Sequence, residues 1–260
     1  MNQLEAAVLA LIQGITEFLP VSSSGHLAIA SRFMNTPEGG LAFDIVLHLG
    51  TLMAVVVFYW KDIAGMIRGI ATRDRKSIRL AVALALGTVP VAVTGLLFGD
   101  LIEDLFGSIL FVSAALGVTG TILFFSGRIS PEEGSELTLK QGLIVGLAQS
   151  LAVLPGISRS GTTICAGLFA GLKREEAARF SFLLAVPAIL GASVKELPSA
   201  DWSVSPGNLI TGFLVSAVVG FGALTLLVRF VKRGRLAGFA WYLWALALFG
   251  IVFALTGIQV

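Results

Sequence analysis

Two short stretches of this sequence are copies of one another, and they constrain the fold more than any other feature. Residues 13–26 read QGITEFLPVSSSGH and residues 149–163 read QSLAVLPGISRSGTT. A gapless shift of 136 positions (149 − 13) superimposes four identical pairs: Gln13 on Gln149, Ser22 on Ser158, Ser24 on Ser160 and Gly25 on Gly161. The chain is therefore predicted to contain two copies of one structural unit.

The composition places both copies in a membrane. Hydrophobic residues make up 56% of the chain and charged residues only 13%, a balance typical of integral membrane proteins. Several apolar segments reach the roughly 20 residues that a helix needs to cross a bilayer. The predicted fold is all-α and polytopic, with six full spans near residues 42–60, 77–99, 107–126, 176–195, 207–230 and 237–257.

The copied stretches interrupt two further apolar regions. Residues 2–34 are broken from Pro20 to Ser23, and residues 137–172 are broken at Pro155–Ser160. Neither half of either region is long enough to span, so each region is predicted to form a re-entrant helical hairpin. Irregular backbone at membrane depth is tolerated only where it is buried in protein or lines a polar cavity.

Each unit then consists of one hairpin and three spans, about residues 2–126 and 137–257, in a single membrane domain of residues 1–260. Three crossings invert the second unit relative to the first. The hairpins would enter from opposite faces, and their broken tips would meet near the midplane, as in inverted-repeat membrane proteins. One composite site built from both copies is expected.

The basic residues predict the orientation. Of the 18 Lys and Arg residues, 15 lie in loops near 61–79, 127–140, 173–179 and 229–235; the others are Arg32, Lys195 and Arg159. The positive-inside rule assigns these loops to the cytoplasm and both termini to the outer side. Because the net charge is only +2 and the basic residues lie in short loops, no nucleic-acid partner is expected.

The second break is typical of an anion site. Pro155 and Gly156 end a helix, and hydroxyl residues follow where the next helix begins, so free N–H groups, the helix dipole and Arg159 would all favour a phosphate. The alternative is an ordinary N-cap with a solvated arginine, but an unpaired charge within an apolar hairpin is costly. Candidate phosphate-binding residues are Ser22, Ser24, Ser158, Ser160, Thr162, Thr163, Gly156 and Gly161.

A carboxylate, an amide and two histidines are the other polar candidates. Gln13 and Glu17, four residues apart on one helix face, could hold a divalent cation such as Mg²⁺ or Ca²⁺ with substrate phosphate and water. Alternatively, Glu17 only pairs with Arg159. His26 could attack phosphorus or act as acid or base beside a serine nucleophile, Ser23. Asp44 and His48 could form a helix-face pair or support the site, and no catalytic role is assigned to them.

At both stretches the sequence resembles the bacterial undecaprenyl-diphosphate phosphatases, the bacitracin-resistance family. The family's first motif, Glu or Gln, three residues, then Glu, fits Gln13 and Glu17, followed here by FLPVSSSGH. Its second motif, Pro-Gly-x-Ser-Arg-Ser-x-x-Thr, fits the segment from Pro155 to Thr163. Gln13 stands where some relatives have glutamate, so a two-carboxylate metal site would be weaker here.

The resemblance implies an enzyme of the bacterial inner membrane. It would remove the terminal phosphate of undecaprenyl diphosphate and regenerate the lipid carrier of peptidoglycan synthesis, with a divalent metal and a site open to the periplasm. Glu17, His26 and Arg159 match residues held to be essential, whereas the nucleophile stays open between His26 and Ser23. The prenyl tail would remain among the membrane lipids. A lipid flippase or transporter with an anion site is the main alternative, and homo-oligomerisation is left open.

Overall fold

The computed structural model describes residues 1–34, 40–129 and 135–256. Within these ranges there are no strands, apart from an isolated β-bridge between Ser135 and Leu172. A 3-10 turn, Leu197–Ser199, follows the tenth helix. The described α-helices are α1 (Gln3–Phe18), α2 (Ser23–Phe33), α3 (Gly40–Phe58), α4 (Trp60–Ala71), α5 (Arg75–Leu97), α6 (Gly99–Phe106), α7 (Ile109–Ser126), α8 (Leu139–Leu151), α9 (Arg159–Phe169), α10 (Arg174–Glu196), α11 (Pro206–Lys232) and α12 (Gly238–Thr256).

Six of the described helices, α3, α5, α7, α10, α11 and α12, are long and apolar enough to cross a membrane. They coincide with the six predicted spans, and the prediction of an all-α integral membrane protein is confirmed at this level. The agreement follows from the strength of the signal, because a continuous apolar run of about 20 residues has few alternatives to a membrane helix.

The two interrupted regions each form a pair of short helices. The pairs are α1 with α2, of 16 and 11 residues, and α8 with α9, of 13 and 11 residues. The helices stop at the predicted breaks. Both α1 and α8 begin in a capping box, formed by Asn2 with Glu5 and by Thr138 with Gln141. Local sequence therefore determines where these helices start and stop.

Two helices, α4 and α6, lie in segments that were predicted to be loop or the end of a span. Helix α4 has 12 residues, none of which is buried, and it is too short to span a membrane. Ile63, Met66, Ile67 and Ile70 recur at helical spacing, and the same helix carries the charged residues Lys61 and Arg68. This amphipathic pattern is typical of a helix lying at a membrane surface. A prediction that searches for long apolar runs does not detect it.

The short helices of each half of the chain pack against long helices of the other half. Helix α1 packs against α11, and α8 packs against α5. Glycines allow both approaches: a Cβ on Gly146 would lie 2.4 Å from the Cα of Gly87, and one on Gly14 would lie 2.9 Å from the Cβ of Val219. Helix α7 packs against α12 and α3 against α10, so equivalent helices of the two halves also contact one another.

The basic loops lie together at one end of the bundle. Ion pairs and hydrogen bonds join them, whereas the other end contains the contacts of Lys195 with the Gly95 carbonyl (2.9 Å) and of Asn208 with the Met1 carbonyl (2.9 Å). The loops that were assigned to one side by charge are thus close in space. The contacts at the basic end are Lys76 and Arg79 with Glu136 (3.1 and 2.8 Å), Arg179 with Asp62 (2.6 Å), Lys232 with Glu175 (3.0 Å) and Arg174 with the Ile129 carbonyl (2.9 Å).

Candidate active site

The breaks of the two short-helix pairs meet inside the bundle. A Cβ on Gly161 would lie 3.1 Å from the Cβ of Pro20, so the start of α9 packs directly against the break that follows α1. The Ser160 hydroxyl donates to the Leu19 carbonyl at 3.4 Å. The fold therefore brings together two motifs that are 136 positions apart, as expected for one composite site.

The centre of the site is an ion pair between the two motifs. Arg159, at the start of α9, donates through Nη2 to Oε1 of Glu17 near the end of α1. The Glu17 side chain is 3% exposed and that of Arg159 is 22% exposed. A buried carboxylate requires such a partner, because an unpaired charge at this depth is strongly unfavourable. The pairing that the sequence offered as an alternative is present, and metal binding by Glu17 stays a prediction.

The second oxygen of Glu17 accepts two further hydrogen bonds. Ser23 Oγ donates to Oε2 at 2.7 Å, and Gln13 Nε2 donates at 3.0 Å. Ser23 is the first residue of α2, so the carboxylate connects both sides of the first break. A serine hydroxyl directed at a carboxylate has the arrangement of a nucleophile and its base.

The second break is stabilised by its own serines and by α7. Ser158 caps α9 by accepting from the Gly161 N–H at 3.2 Å, and its Oγ lies 3.2 Å from that of Ser160. Thr119, fully buried in α7, accepts from the Ser158 N–H at 3.1 Å and lies 3.2 Å from the Gly156 carbonyl oxygen. Sequence reasoning did not identify Thr119, because it lies in an apolar span with no motif around it.

The first break repeats part of this geometry. The hydroxyls of Ser22 and Ser24 lie 3.2 Å apart, the same separation as between Ser158 and Ser160. The internal repeat is thus visible in side-chain contacts as well as in sequence. Ser160 also lines the cleft at the ion pair, and contact of these four hydroxyls with a phosphate stays a prediction.

The two threonines predicted to bind phosphate, Thr162 and Thr163, are both buried. The Thr163 hydroxyl is buried, donates to the Arg159 carbonyl at 2.7 Å and contacts Ser181 of α10. The Thr162 hydroxyl is also buried and has no hydrogen-bond partner among the described residues. The Thr163 contacts position Arg159 from behind. A direct phosphate contact by either residue stays a prediction.

His26 contacts α12 in addition to its own hairpin. Its Nδ1 lies 2.8 Å from the Ser22 carbonyl, and its Nε2 lies 2.6 Å from the hydroxyl of Tyr242. The two rings are stacked, with centroids 5.8 Å apart. A carbonyl can only accept, so Nδ1 carries the proton and the neutral ring accepts from Tyr242 through Nε2. No sequence signal distinguished Tyr242 from the other aromatic residues of its span.

His48 reaches the same carboxylate from α3. Its Nε2 lies 3.8 Å from Oε2 of Glu17, and its Nδ1 lies 2.8 Å from the backbone carbonyl of Asp44. The four-residue spacing of Asp44 and His48 thus places the imidazole through a backbone contact. The sequence predicted that His48 could support the site and assigned it no catalytic role. The structure places its imidazole beside the Glu17 carboxylate.

The cleft at the ion pair is closed. Its volume is about 10 Å³, which is room for roughly one water molecule. The cleft as it stands is therefore too small to hold a diphosphate. The residues that line the cleft are Glu17, Phe18, Arg159, Ser160, Ser181, Phe182 and Ala185.

The donor set at Glu17 fits a hard divalent cation. The side chain of Gln13 is fully buried, and its Oε1 has no hydrogen-bond partner among the described residues. An unpartnered buried oxygen beside a carboxylate is suited to an ion that takes oxygen ligands and completes its shell with water and phosphate. The described residues hold no cluster of three or more His, Cys, Asp or Glu side chains, so the protein would supply only part of the coordination.

Sequence comparisons find relatives that match nearly the whole chain. The undecaprenyl-diphosphatase of Methanosphaera stadtmanae is 41% identical over 98% of this chain and 99% of its own length. The undecaprenyl-diphosphatase of Moorella thermoacetica is 42% identical over 93% and 94%, and that of Renibacterium salmoninarum is 39% identical over 100% and 98%. Residues 6–249 match the family described as bacitracin resistance protein BacA. The chain therefore belongs to the bacitracin resistance protein BacA family.

Proposed function

We propose that this multi-pass membrane protein hydrolyses undecaprenyl diphosphate to undecaprenyl phosphate and inorganic phosphate. The product is the lipid carrier used in peptidoglycan synthesis. The observation that carries the proposal is the contact of Arg159 with Glu17, because it unites the two motifs and adds Ser23 to the same carboxylate. The relatives named above are undecaprenyl-diphosphatases of nearly the same length.

The terminal phosphate binds at the start of α9. Arg159 turns from Glu17 to the phosphate oxygens, which it contacts through two parallel N–H groups. The first-turn N–H groups of α9 and the positive end of its dipole favour the same negative charge. Further donors are the serine hydroxyls of the two breaks, Ser22, Ser24, Ser158 and Ser160. Gly156 and Gly161 keep the backbone close to the ligand.

The reaction breaks the bond between the terminal phosphorus and the bridging oxygen. Undecaprenyl phosphate leaves with that oxygen, and the phosphoryl group passes finally to water. The geometry favours Ser23 as the attacking group, since its proton can pass to Glu17 along a 2.7 Å hydrogen bond. His26 is the second candidate, and its Nε2 faces Tyr242. Arg159 stabilises the charge on the equatorial oxygens as the bond breaks.

A divalent cation would be held by Glu17 and Gln13. When bound, it would neutralise phosphate charge and compete with Arg159 for the carboxylate. The unpartnered Gln13 Oε1 supports this assignment. Arg159 then becomes available to the substrate, so cation and diphosphate are expected to favour each other's binding.

The two halves form an inverted repeat, with both short-helix pairs re-entering the membrane. The exchanged packing of α1 on α11 and α8 on α5 supports this arrangement. The positions at which the two short-helix pairs begin also support it. Met1, just before α1, contacts Asn208 at one end of the bundle. The segment before α8 lies with the basic loops at the other end. In the inner membrane the basic end faces the cytoplasm, and the termini and the site face the periplasm.

Hydrolysis is favoured over a flippase or transporter by the same contacts. A binding site for an anion requires Arg159 and donors, but it does not require a serine hydroxyl paired with a buried carboxylate. The relatives' names agree with the chemistry. The activity that we propose is therefore hydrolysis and not transport of the lipid carrier.

The test is phosphate release by the purified protein in detergent, with undecaprenyl or farnesyl diphosphate as substrate. We expect release that requires added Mg²⁺ or Ca²⁺ and stops with chelator. Arg159→Ala should lower kcat/KM by about 10²–10³-fold, as for the loss of a group that stabilises transition-state charge. Glu17→Ala should be at least as severe, because it removes both the proposed base for Ser23 and a ligand of the proposed cation.

Arg128→Ala is the matched control, because Arg128 lies over the rings of Phe124 and Phe125 at the basic end. It should retain wild-type activity. Phosphate release that persists in a folded Arg159→Ala variant would refute the assignment of the site. A folded wild-type protein that releases no phosphate from either substrate would refute the function.

A further inference from the structure

His48 approaches Glu17 from a separate, long helix. It lies on α3, whereas Gln13 and Glu17 lie on α1, and the imidazole Nε2 is 3.8 Å from Glu17 Oε2. The His48 side chain is 38% exposed while that of Glu17 is 3% exposed. The imidazole therefore stands between the buried carboxylate and the protein surface.

The orientation of the ring directs a lone pair at Glu17. His48 Nδ1 lies 2.8 Å from the Asp44 backbone carbonyl, and because a carbonyl can only accept, Nδ1 carries a proton. In the neutral ring, Nε2 is then an acceptor facing a carboxylate oxygen. Metal-binding histidines commonly have this arrangement, in which the other ring nitrogen donates to a carbonyl that holds the ring in place.

The distances suit one ion between the three side chains. Ligand atoms about 2.1 Å from the same small divalent ion lie about 3.0 Å apart at right angles and about 4.2 Å apart when opposite. Glu17 Oε2 is 3.8 Å from His48 Nε2 and 3.0 Å from the Gln13 amide nitrogen. A half-turn of that amide exchanges its nitrogen with Oε1, the oxygen that has no partner among the described residues.

We propose that His48 is a third protein ligand, through Nε2, for the divalent cation at Glu17 and Gln13. The inference rests on the cation site of the proposed function and extends it to α3. An imidazole in the set shifts the preference from Ca²⁺ towards first-row transition ions, because Ca²⁺ takes oxygen ligands whereas imidazole also suits transition ions. Water and the substrate phosphate complete the coordination.

The experiment uses Mn²⁺ alone as the probe, with no substrate. The chain has only two histidines, His26 and His48, so a protein purified without a histidine tag has two possible imidazole ligands. Pulsed electron paramagnetic resonance of the Mn²⁺-loaded protein should show coupling to ¹⁴N of imidazole. The coupling should disappear in His48→Ala and persist in His26→Ala.

Affinity gives an independent readout. The Mn²⁺ dissociation constant should rise by at least about tenfold in His48→Ala. His48→Gln, which restores an oxygen donor, should recover part of the affinity without the nitrogen coupling. Size-exclusion chromatography and thermal melting in detergent establish that each variant is folded.

The outcomes separate this inference from the function on which it rests. Nitrogen coupling that survives in His48→Ala, or that is absent from the Mn²⁺-loaded wild type, overturns the role of His48. Metal-dependent phosphate release can persist in that case, and the proposed function then stands with an all-oxygen site. Failure of the wild type to bind Mn²⁺ overturns both His48 ligation and the cation site at Glu17.

Discussion

At the residue scale, Glu17 is the group on which the site depends. Its carboxylate accepts from Arg159, Ser23 and Gln13 and faces His48. In the proposed function, a phosphate takes the place of this carboxylate at Arg159. The buried pair keeps the guanidinium oriented without leaving either charge unpaired. Separating the pair would leave two buried charges, of which a substrate phosphate would pair with Arg159 and a cation with Glu17.

Tyr242 is expected to position His26. Its hydroxyl lies 2.6 Å from His26 Nε2, and Tyr242→Phe removes that bond while keeping the stacked ring. A neutral hydrogen bond contributes about 1 kcal/mol, so kcat should fall about fivefold with little change in KM. Steady-state phosphate release measures both constants.

The chain's other tyrosine, Tyr59, provides the control. It follows α3 at the start of α4, and Tyr59→Phe should leave kcat unchanged. An unaltered kcat in Tyr242→Phe would mean that the hydroxyl only packs against His26 and takes no part in placing it.

At the element scale, the breaks allow short helices to present their ends inside the bundle. Helices of 11 to 16 residues are too short to cross the bilayer, so their ends lie at depth. Polar backbone at that depth requires partners. Thr119 and the Ser158 cap satisfy part of the second break. In the proposed function, the remaining N–H groups at the start of α9 bind phosphate.

Gly156 is the position at which the second break is most sensitive. Its φ is +91°, and a Cβ there would lie 2.3 Å from the Val112 carbonyl oxygen. We expect Gly156→Ala to reduce the free energy of unfolding by about 2 kcal/mol or more, because a left-handed conformation and a backbone clash combine. The melting temperature in detergent measures the effect.

Gly191, within α10, is the matched control. A Cβ there would meet open space, so Gly191→Ala should keep or raise the melting temperature through its better helix propensity. Equal melting temperatures for wild type and Gly156→Ala would contradict the strain assigned to this break.

At the scale of the whole molecule, orientation in the membrane can be tested by labelling. Thr72 and Ser199 are both exposed, Thr72 at the basic end of the bundle and Ser199 in the 3-10 turn after α10. In intact cells, a membrane-impermeant maleimide should label Ser199→Cys and should label Thr72→Cys only after lysis. The basic loops face the cytoplasm in the proposed topology, which predicts this difference.

The native Cys165 does not interfere, because it is fully buried. The unsubstituted protein should therefore remain unlabelled. Labelling of Thr72→Cys in intact cells, with Ser199→Cys protected, would reverse the orientation and place the site towards the cytoplasm.

The helices were determined by the sequence itself, because their signals are local. Apolar length specified the six spans, and Pro20, Pro155 and Gly156 specified the breaks. The motifs at the two breaks also brought Glu17, Ser23, His26 and Arg159 forward as candidate catalytic residues. The amphipathic α4 was missed, since its apolar residues are spaced around a polar face and do not form a run.

Only the tertiary structure decided which side chains meet. Thr119, Tyr242 and His48 reach the two breaks from α7, α12 and α3. The tertiary structure also brought the Thr163 hydroxyl into contact with Ser181 of α10. Helical periodicity assigns a residue to a face, but the neighbour of that face depends on how separate helices pack. In this protein the neighbours were selected by close glycine contacts and by the need to pair buried charges and hydroxyls.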